Sequence, residues 1–557
     1  MRPAFSAPAA SSSGVGLWVM AMKKGQGERV TLSIVRDAFF RGDFERCLVL
    51  CDAFEPRDAK DAAEIVLLRA RCLIPLGRGE HAIQALRGLR LAENHHDEFL
   101  TGRMLMSAAY MSIGQDARGL EIALEAYNSS GDMHPTVHAE LLVTLAVGHY
   151  RKGEHARAQR LLDAVPQEAD IVYVRALEYS GWLAWARGDY NGSVDRFREA
   201  LRRIDACDHY DRFIEAKCLF GLSFLAAELP RVDLWSEIGQ RVERFDWSVS
   251  GVTAWRYWIA DRASVIAELR GDLHGSTAWA ATAEDIAPDS GARIGAWCRL
   301  AARFGRYGEG AAHAYFVNKA GAAYEALPRD ARHEEQRTLP LVIAEEIVNG
   351  DSPNNAGPLL TYFAEAIVPT MQERSEDRRA EAFYASILGQ YEERRGNRAR
   401  AQEAYLRAFD AFRSVGFLRR AAVVAYRLSV LTGDEQYEAF IADALRDASP
   451  TYWVKARIAK SRIEARLTPR QLAVLRLIAE GRSNKEIAAA RGIAYHTARN
   501  TVSEILSLLG VQSRTELAGV AAARGLLQRR NEPVPGRAHS GTQTSSRFPS
   551  GSSKNTA

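Results

Sequence analysis

Cysteine is scarce in this sequence of 557 residues. The six cysteines include no CxxC pair and show no regular spacing. Neither a disulfide framework nor a zinc site built on paired cysteines is therefore indicated, and we expect no metal and no cofactor. The scarcity is also typical of a chain that works in a reduced, cytoplasmic setting.

Long apolar runs and catalytic motifs are missing as well. No window approaches the roughly 18 apolar residues of a membrane-spanning helix, so we expect no membrane contact. The segment RFGRYGEG, from Arg303 to Gly310, has the glycines of a phosphate-binding loop but no lysine to reach a phosphate. The H-E-x-x-H and G-x-S-x-G patterns of hydrolases are absent. We therefore expect that the protein is not an enzyme.

The net charge is low, at +4, but the charges are unevenly distributed. From Tyr452 onward there are eighteen Lys or Arg residues and six Asp or Glu residues, a local charge of +12. The preceding part of the chain has fifty-five basic and sixty-three acidic residues, a charge of −8. A basic end joined to an acidic body indicates a nucleic-acid-binding module attached to a regulatory region.

Glycines followed by a polar or charged residue recur through the acidic region. Most neighbours in this set lie 35 to 46 residues apart, and one gap of 83 is divided almost in half by Pro230. A period of this length predicts an array of structural repeats. The glycines are Gly42, Gly77, Gly114, Gly153, Gly188, Gly271, Gly308, Gly350, Gly396 and Gly433.

The residues around Gly188 predict that each repeat is a pair of packed helices. Ser193, Phe197 and Ala200 follow the glycine by 5, 9 and 12 residues and share one face of a helix, while Gly181 precedes it by 7. Small residues at −7 and +5 allow two helices to approach closely, and a ring at +9 fills the remaining space. The same template places Gly389, Ala401, Tyr405 and Ala408 around Gly396.

This pattern resembles the tetratricopeptide repeat (TPR), in ten or eleven copies over residues 29–450. The resemblance is poor from about 230 to 380, where the spacing drifts and prolines interrupt the pattern. It implies a helical solenoid that senses a protein or a small-molecule effector. In this register Cys47 and Cys51 face the partner helix, so we expect them to pack in the core and not to form a redox pair.

Residues 467–519 contain a separate series of helix start and stop signals. Thr468, with Pro469 next and Gln471 three residues on, predicts a capping box at a helix start. Further boxes are predicted for Ser483 with Glu486 and for Ser513 with Glu516, and helix ends are predicted at Gly481, Gly492 and Gly510. We expect four helices, at about 469–480, 484–491, 495–509 and 514–524, the second and third joined as in a helix-turn-helix.

The third of these helices divides into two faces. One face is apolar and is expected to pack on Leu475, Ile478 and Ile487. The other is polar, and its Arg and Asn side chains are of the kinds that grip guanine and adenine edges in the major groove. The apolar face comprises Ala498, Val502, Ile505 and Leu509, and the polar face comprises His496, Arg499, Asn500, Ser503 and Ser507.

The block LTPRQLAVLRLIAEGRSNKEIA followed by TARNTVSEILSLLGVQSRTEL resembles the LuxR-type DNA-binding domain over roughly sixty residues. The resemblance implies a sequence-specific bacterial transcription regulator that binds DNA as a homodimer. Ala494 stands where the family usually has a serine cap, and Ala498 and Thr501 also depart from the family, so its base preference is not carried over. Base readout is expected from His496, Arg499, Asn500 and Ser503, and phosphate contact from Arg482, Lys485, Thr497 and Arg514.

The sequence thus predicts an all-α chain, with a TPR-like helical solenoid followed by a four-helix LuxR-type helix-turn-helix domain. Its expected partners are double-stranded DNA and an effector on the array. An alternative is a TPR scaffold whose last block no longer binds DNA, but Arg499 and Asn500 on the outer face favour DNA. The expected boundaries are a disordered N-terminus (1–28), the array (29–450), a basic helical connector (451–466), the DNA-binding domain (467–527) and a disordered basic tail (528–557).

Overall fold

The computed structural model describes residues 30–89, 96–129, 133–206, 211–288, 290–326 and 378–523. These residues form α-helices and short 3-10 turns with no strand, which confirms the all-α prediction. None of their helices is long and apolar enough to cross a membrane. The predicted disordered termini, 1–28 and 528–557, and the repeat glycine Gly350 lie outside the described residues. The chain divides into two compact units, Met1–Ser461 and Arg462–Ala557.

The first unit is a series of consecutive helical hairpins. Among its described residues, twenty helices pair in chain order into ten hairpins; the first eight hairpins pack in sequence, each on the next, and the last two pack on each other. The helices are α1 (Leu32–Phe40), α2 (Phe44–Ala53), α3 (Ala59–Leu73), α4 (Gly79–Arg87), α5 (His96–Ser112), α6 (Asp116–Asn128), α7 (Pro135–Arg151), α8 (His155–Asp163), α9 (Ile171–Ala186), α10 (Tyr190–Ala206), α11 (Arg212–Glu228), α12 (Val232–Arg244), α13 (Thr253–Leu269), α14 (Leu273–Asp285), α15 (Ser290–Arg306), α16 (Gly310–Ala326), α17 (Arg378–Arg394), α18 (Arg398–Ser414), α19 (Leu418–Thr432) and α20 (Glu435–Ala444).

A repeated hydrogen bond fixes the register of the hairpins. Most of the described hairpins turn at a glycine of the predicted period, such as Gly188, whose φ of 81° lies in the left-handed region that favours glycine. Across that turn, the hydroxyl of Ser193 donates to the carbonyl of Gly181 at 2.8 Å. Equivalent bonds over twelve residues join Cys47 Sγ to the Val35 carbonyl at 3.5 Å and His313 Nδ1 to the Ala301 carbonyl at 2.7 Å. Around Gly271 the direction is reversed, because the hydroxyl of Ser264 at −7 donates to the carbonyl of Ser276 at +5, at 2.9 Å. The predicted facing of positions −7 and +5 is confirmed.

Phe197 packs as the register predicts. It is fully buried, and a Cβ added at Gly181 or at Gly221 of the next hairpin would come within 3 Å of its ring. Tyr405 lies in the same way against Gly389. An aromatic residue at +9 is not general, however, because smaller aliphatic residues such as Leu86 take that position in other described hairpins.

The region that matches the TPR pattern poorly is still built from hairpins as far as Ala326. Pro230 lies in the turn between α11 and α12 and replaces the glycine there. The residues between Arg244 and Thr253 include a 3-10 turn, Ser250–Val252, which lengthens the spacing without breaking either helix. As far as Ala326, the drift in the sequence period therefore reflects a longer connection and not a loss of the architecture, and residues 327–377 lie outside the described residues.

The paired cysteines are part of the core of the first hairpins. Cys47, Cys51 and Cys72 are buried, and the described cysteines are all free thiols. Contact with Cys47, together with burial, raises the pKa of the Cys51 thiol well above its usual range. A thiol held neutral is a poor nucleophile, so the prediction of core packing for Cys47 and Cys51 is supported.

A buried charge cluster joins distant hairpins of the array. The carboxylate of Glu228, at the end of α11, lies 3.1 Å from Arg262, 3.1 Å from Arg419 and 3.4 Å from Arg420. Burial alone would raise the pKa of Glu228, but these three guanidiniums lower it to about 2. The cluster therefore ties α11 and α13 to α19, which lies some 190 residues away along the chain.

The helix that follows the array, α21 (Trp453–Arg466), contains the boundary between the two units. Its first residues belong to the array, because Tyr452, Trp453 and Val454 are buried in the largest apolar core. The guanidinium of Arg306 also lies 5.6 Å from the centre of a Trp453 ring. The segment expected to be a connector is therefore anchored in the repeat core at its start.

Candidate nucleic-acid interface

The second unit contains four helices in its described residues after the end of α21. They are α22 (Pro469–Ala479), α23 (Asn484–Arg491), α24 (Tyr495–Leu509) and α25 (Arg514–Ala523), close to the predicted bounds. Helix α22 packs against each of the other three. The fully buried residues are Leu467, Val474, Leu475, Ile478, Ile487, Ala488, Ala498, Val502, Ile505 and Leu517, with Leu509 partly buried beside them.

Side-chain caps fix where the first two helices begin. Thr468 and Gln471 form the predicted capping box before α22, and Ser483 and Glu486 form the second before α23. Hydrogen bonds from Ser483 lower the pKa of Glu486, as expected for a carboxylate at a helix start. Before α25 the box is incomplete: the Glu516 amide donates to Ser513 Oγ at 3.1 Å, but the Glu516 carboxylate accepts from the amide of Gln512.

The turn between α23 and α24 is short. Gly492 ends α23 with a φ of 61°, in the left-handed region. Ala494 is the residue before α24, and it supplies no side-chain cap, as the sequence predicts. Two short packed helices joined in this way form a helix-turn-helix, with α24 in the position of the recognition helix.

The polar face of α24 is exposed and free of internal contacts. His496, Arg499, Asn500 and Ser503 are all exposed, and their side chains make no hydrogen bond or ion pair with any residue that the structure describes. The opposite face is buried through Ala498, Val502 and Ile505. The structure therefore brings the four residues expected to read bases onto one accessible surface, which we call the α24 outer face.

The four residues expected to contact phosphate differ in how free they are. Lys485 and Thr497 are exposed, and among the described residues their side chains have no hydrogen-bonding partner. Arg482 is 53% exposed and lies 3.6 Å from the carboxylate of Glu486. Arg514 is half-buried, and its guanidinium donates to Asn484 Oδ1 at 2.9 Å and to the carbonyl of Arg482. Arg514 thus links α25 to the start of α23 and has less freedom to reach a phosphate than Lys485.

Two features near the α24 outer face were not predicted. Tyr495, the first residue of α24, is 53% exposed, although an aromatic residue at a helix start is usually read as a core residue. Glu504, the acidic residue of α24, accepts a hydrogen bond from Gln471 Nε2 at 3.3 Å. This bond holds the negatively charged side chain of Glu504 against α22, although Glu504 belongs to the same helix, α24, as Arg499.

Residues 465–521 match the family described as bacterial regulatory proteins, luxR family. Response regulator protein VraR of Staphylococcus aureus (strain Mu3 / ATCC 700698) is 43% identical over 98 residues, which are 16% of this chain and 47% of that protein. VraR of strain NCTC 8325 / PS 47 gives the same values. The chain therefore covers about half the length of the curated relatives that it matches.

Among solved structures, a chain in the crystal structure of the APC/C hetero-tetramer Cut9-Hcn1 aligns with 78% of this chain, and the alignment covers 94% of the matched chain. The identity is 12% and the TM-score 0.22, too low for a comparison of the folds. The TPR-like character of the array accordingly rests on its hairpins and on the bonds between positions −7 and +5. Residues 465–521 are a DNA-binding domain of the luxR family of bacterial regulatory proteins, and they follow a TPR-like array of helical hairpins.

Proposed function

We propose that this protein is a sequence-specific transcription regulator. Its second unit binds duplex DNA with α24 in the major groove, where Arg499 and Asn500 contact base edges and Lys485 contacts phosphate. The observation that carries the proposal is the α24 outer face, four polar side chains that are exposed and have no partner among the described residues. We further propose that two copies bind DNA together, as the luxR-family match suggests.

The array is proposed to sense an effector and to pass the signal through α21. Support comes from the position of Trp453, which is buried in the array core at the start of a helix that continues to Arg466. The ammonium of Lys455 also donates to the carbonyl of Ala448 at 2.7 Å, which holds the first turn of α21 to the end of the array. A rearrangement of the array core therefore acts on α21 directly.

Genomic footprinting with the tagged full chain, followed by binding assays on the recovered fragments, tests DNA recognition. The intact protein is expected to prefer the recovered site over random duplex and to lose affinity steeply as salt increases. Asn500→Ala is expected to reduce the preference. Arg476→Ala serves as the control, because it removes an exposed charge of the same unit from α22, a helix other than α24.

The competing function is a TPR scaffold whose second unit has lost DNA binding. It predicts equal and negligible affinity of the full chain for the recovered fragments and for random duplex, even at low salt. That result would remove the proposed regulator role and leave the array as the functional part of the molecule.

A further inference from the structure

The array contains an open cavity of about 310 Å³. Its lining comes from the first helices of six consecutive hairpins, α1, α3, α5, α7, α9 and α11, from Phe44 at the start of α2, and from residues in the turns beside these helices. The volume falls at the lower end of the range of about 300–1,000 Å³ that is usual for pockets that hold small ligands. A surface built from six repeats at once is well placed to sense a ligand, because a change in any of them alters its shape.

One wall of the cavity is aromatic and aliphatic. Phe39, Phe40 and Phe44 line it, with Met104 and Leu105 beside them. The rings of Phe39 and Phe44 stack with their centres 5.7 Å apart, which gives this wall a defined shape. Such a wall accommodates the apolar body of a ligand.

The cavity also has charged lining residues, and most of their charges are already paired. Arg71 donates to both carboxylate oxygens of Glu140, at 3.1 and 3.2 Å. Lys217 pairs with Glu178 and lies 4.7 Å from the centre of the Tyr179 ring. These pairs leave little net charge for a ligand to meet.

Asp211 is engaged in the fold as the cap of α11. Its carboxylate accepts a hydrogen bond from the amide of Ile214 at 3.0 Å. Burial raises the pKa of Asp211, while this hydrogen bond and the positive charge of Arg175 oppose the increase. The carboxylate is therefore committed to the helix start.

Arg175 is the exception among the charged residues of the cavity. It lines the cavity from α9 and is half-buried, yet its guanidinium makes no hydrogen bond or ion pair with any residue that the structure describes. A half-buried guanidinium gains most from a planar anion that accepts two of its hydrogen bonds, and a carboxylate has this geometry.

We infer that the cavity binds a small organic acid, with its carboxylate on Arg175 and its aromatic or alkyl body against Phe39, Phe40 and Phe44. The apolar lining residues together with the Arg175 guanidinium carry this assignment, since a neutral apolar ligand offers that guanidinium no hydrogen-bond acceptor and a cation is repelled by its positive charge. The inference deepens the proposed sensing role, and it rests on the proposed function only for the link to DNA.

Titration calorimetry of the full chain with four probes tests the inference. The acids are 3-phenylpropionate and octanoate, and the matched probes are 3-phenylpropanol and 3-phenylpropylamine. The intact protein is expected to bind the acids at least tenfold more tightly than the alcohol and not to bind the amine. Arg175→Gln is expected to weaken the acids at least tenfold and to leave the alcohol unchanged.

Two further variants separate the site from general effects. Arg244→Gln removes an exposed guanidinium at the end of α12, outside the cavity, and is expected to change nothing. Ala108→Phe places a ring in the cavity from α5 and is expected to abolish binding of every probe, while circular dichroism confirms the helical fold.

Three results would overturn the inference: no binding of any probe, equal affinity for acid and alcohol, or acid binding that survives Arg175→Gln. DNA affinity is measured on the same samples with and without 3-phenylpropionate. Loss of the ligand site with intact DNA binding removes this inference alone. Ligand binding without DNA binding removes the proposed regulator and leaves the cavity assignment in place.

Discussion

The two units use their charged and polar side chains in opposite ways. In the array, the carboxylate of Glu228 is buried and lies within 3.4 Å of three guanidiniums, so its charge serves the fold. On α24, Arg499 and Asn500 are exposed and have no partner among the described residues. Buried polar groups need partners inside the fold, whereas the exposed side chains of the α24 outer face are hydrated and accessible, as the proposed contact with DNA requires.

The comparison also holds within the array. Arg262 and Arg175 both lie on the first helices of hairpins, and Arg262 is buried whereas Arg175 is half-buried. Arg262 pairs with Glu228 at 3.1 Å, whereas Arg175 has no such partner and lines a cavity. The same residue type is therefore structural at one position and available for a ligand at the other, and only the three-dimensional contacts distinguish the two.

The largest effect is expected from Glu228→Ala. The substitution leaves three buried guanidiniums without their carboxylate, and breaking a buried charge network by removing one partner costs about 3–5 kcal/mol. Urea unfolding followed by circular dichroism measures the loss. Glu237→Ala is the control, since its pair with Arg198 is roughly half exposed and is expected to contribute at most about 1 kcal/mol. Equal losses of unfolding free energy for the two substitutions would show that the buried cluster stabilises the fold no more than an exposed ion pair.

Phe197→Ala is expected to cost about 3–5 kcal/mol, close to the previous change. The ring is fully buried between Gly181 and Gly221, so its removal leaves a cavity that the glycines cannot fill. Leu406→Ala, on a residue that is 37% exposed, is the control for losing an apolar side chain. Thermal and urea unfolding give the comparison, and a change below about 1 kcal/mol for Phe197→Ala would contradict the packing described here.

The contribution of Glu228 to stability is expected to depend on pH. Because its pKa is lowered to about 2 in the folded protein, its contribution is present above its ordinary pKa and is lost as the pH falls toward 2. The stability advantage of the natural protein over Glu228→Gln is expected to shrink by roughly 3 kcal/mol between pH 6 and pH 2. Other carboxylates titrate in both proteins and cancel in the difference. A constant advantage would mean that the arginines do not hold this carboxylate ionised.

The hairpin register is predictable because it depends on residues close in sequence. The spacing of Gly181, Gly188 and Ser193 predicts the helix pair and its close contact, and the structure places a hydrogen bond there. The capping boxes at Thr468 and Ser483 are predictable for the same reason, since each involves residues three positions apart.

Long-range contacts were not predictable from the pattern. The pairing of Glu228 with Arg419 spans 191 residues, and nothing in the local sequence selects one arginine over another. The cavity beside Arg175 likewise depends on six hairpins at once. In the DNA-binding domain, Arg514 looks like any basic residue in the sequence, but its bond to Asn484 shows a structural role.

A smaller effect is expected on DNA binding, where substitutions distinguish residues that contact bases from residues that contact phosphate. Arg499→Ala or Asn500→Ala is expected to cost about 1–3 kcal/mol on the preferred site and to relax the preference at one base pair. Lys485→Ala is expected to weaken all sequences alike and to reduce the salt slope by about one unit. Competition assays with specific and random duplexes at several salt concentrations measure both. If Arg499→Ala weakened binding to both duplexes equally, Arg499 would not contact a base, and we would assign base recognition to His496 and Ser503.

The smallest change concerns the missing cap of α24. Ala494 already has the extended backbone of an N-cap residue, with φ −67° and ψ 150°, but has no side chain to accept a hydrogen bond from the first turn. Ala494→Ser supplies a hydroxyl there and is expected to stabilise the DNA-binding domain by about 1 kcal/mol. Ala490→Ser, at an exposed position inside α23, is the matched control and is expected to be neutral or slightly destabilising, because serine is a poorer helix former than alanine. Urea unfolding of residues 455–530, which we expect to fold alone because they have their own caps and core, gives both values. Because the new hydroxyl is uncharged and lies at the start of α24, we expect this gain in stability without a change in the salt dependence of DNA binding. A changed salt dependence would show that position 494 also contacts the DNA backbone.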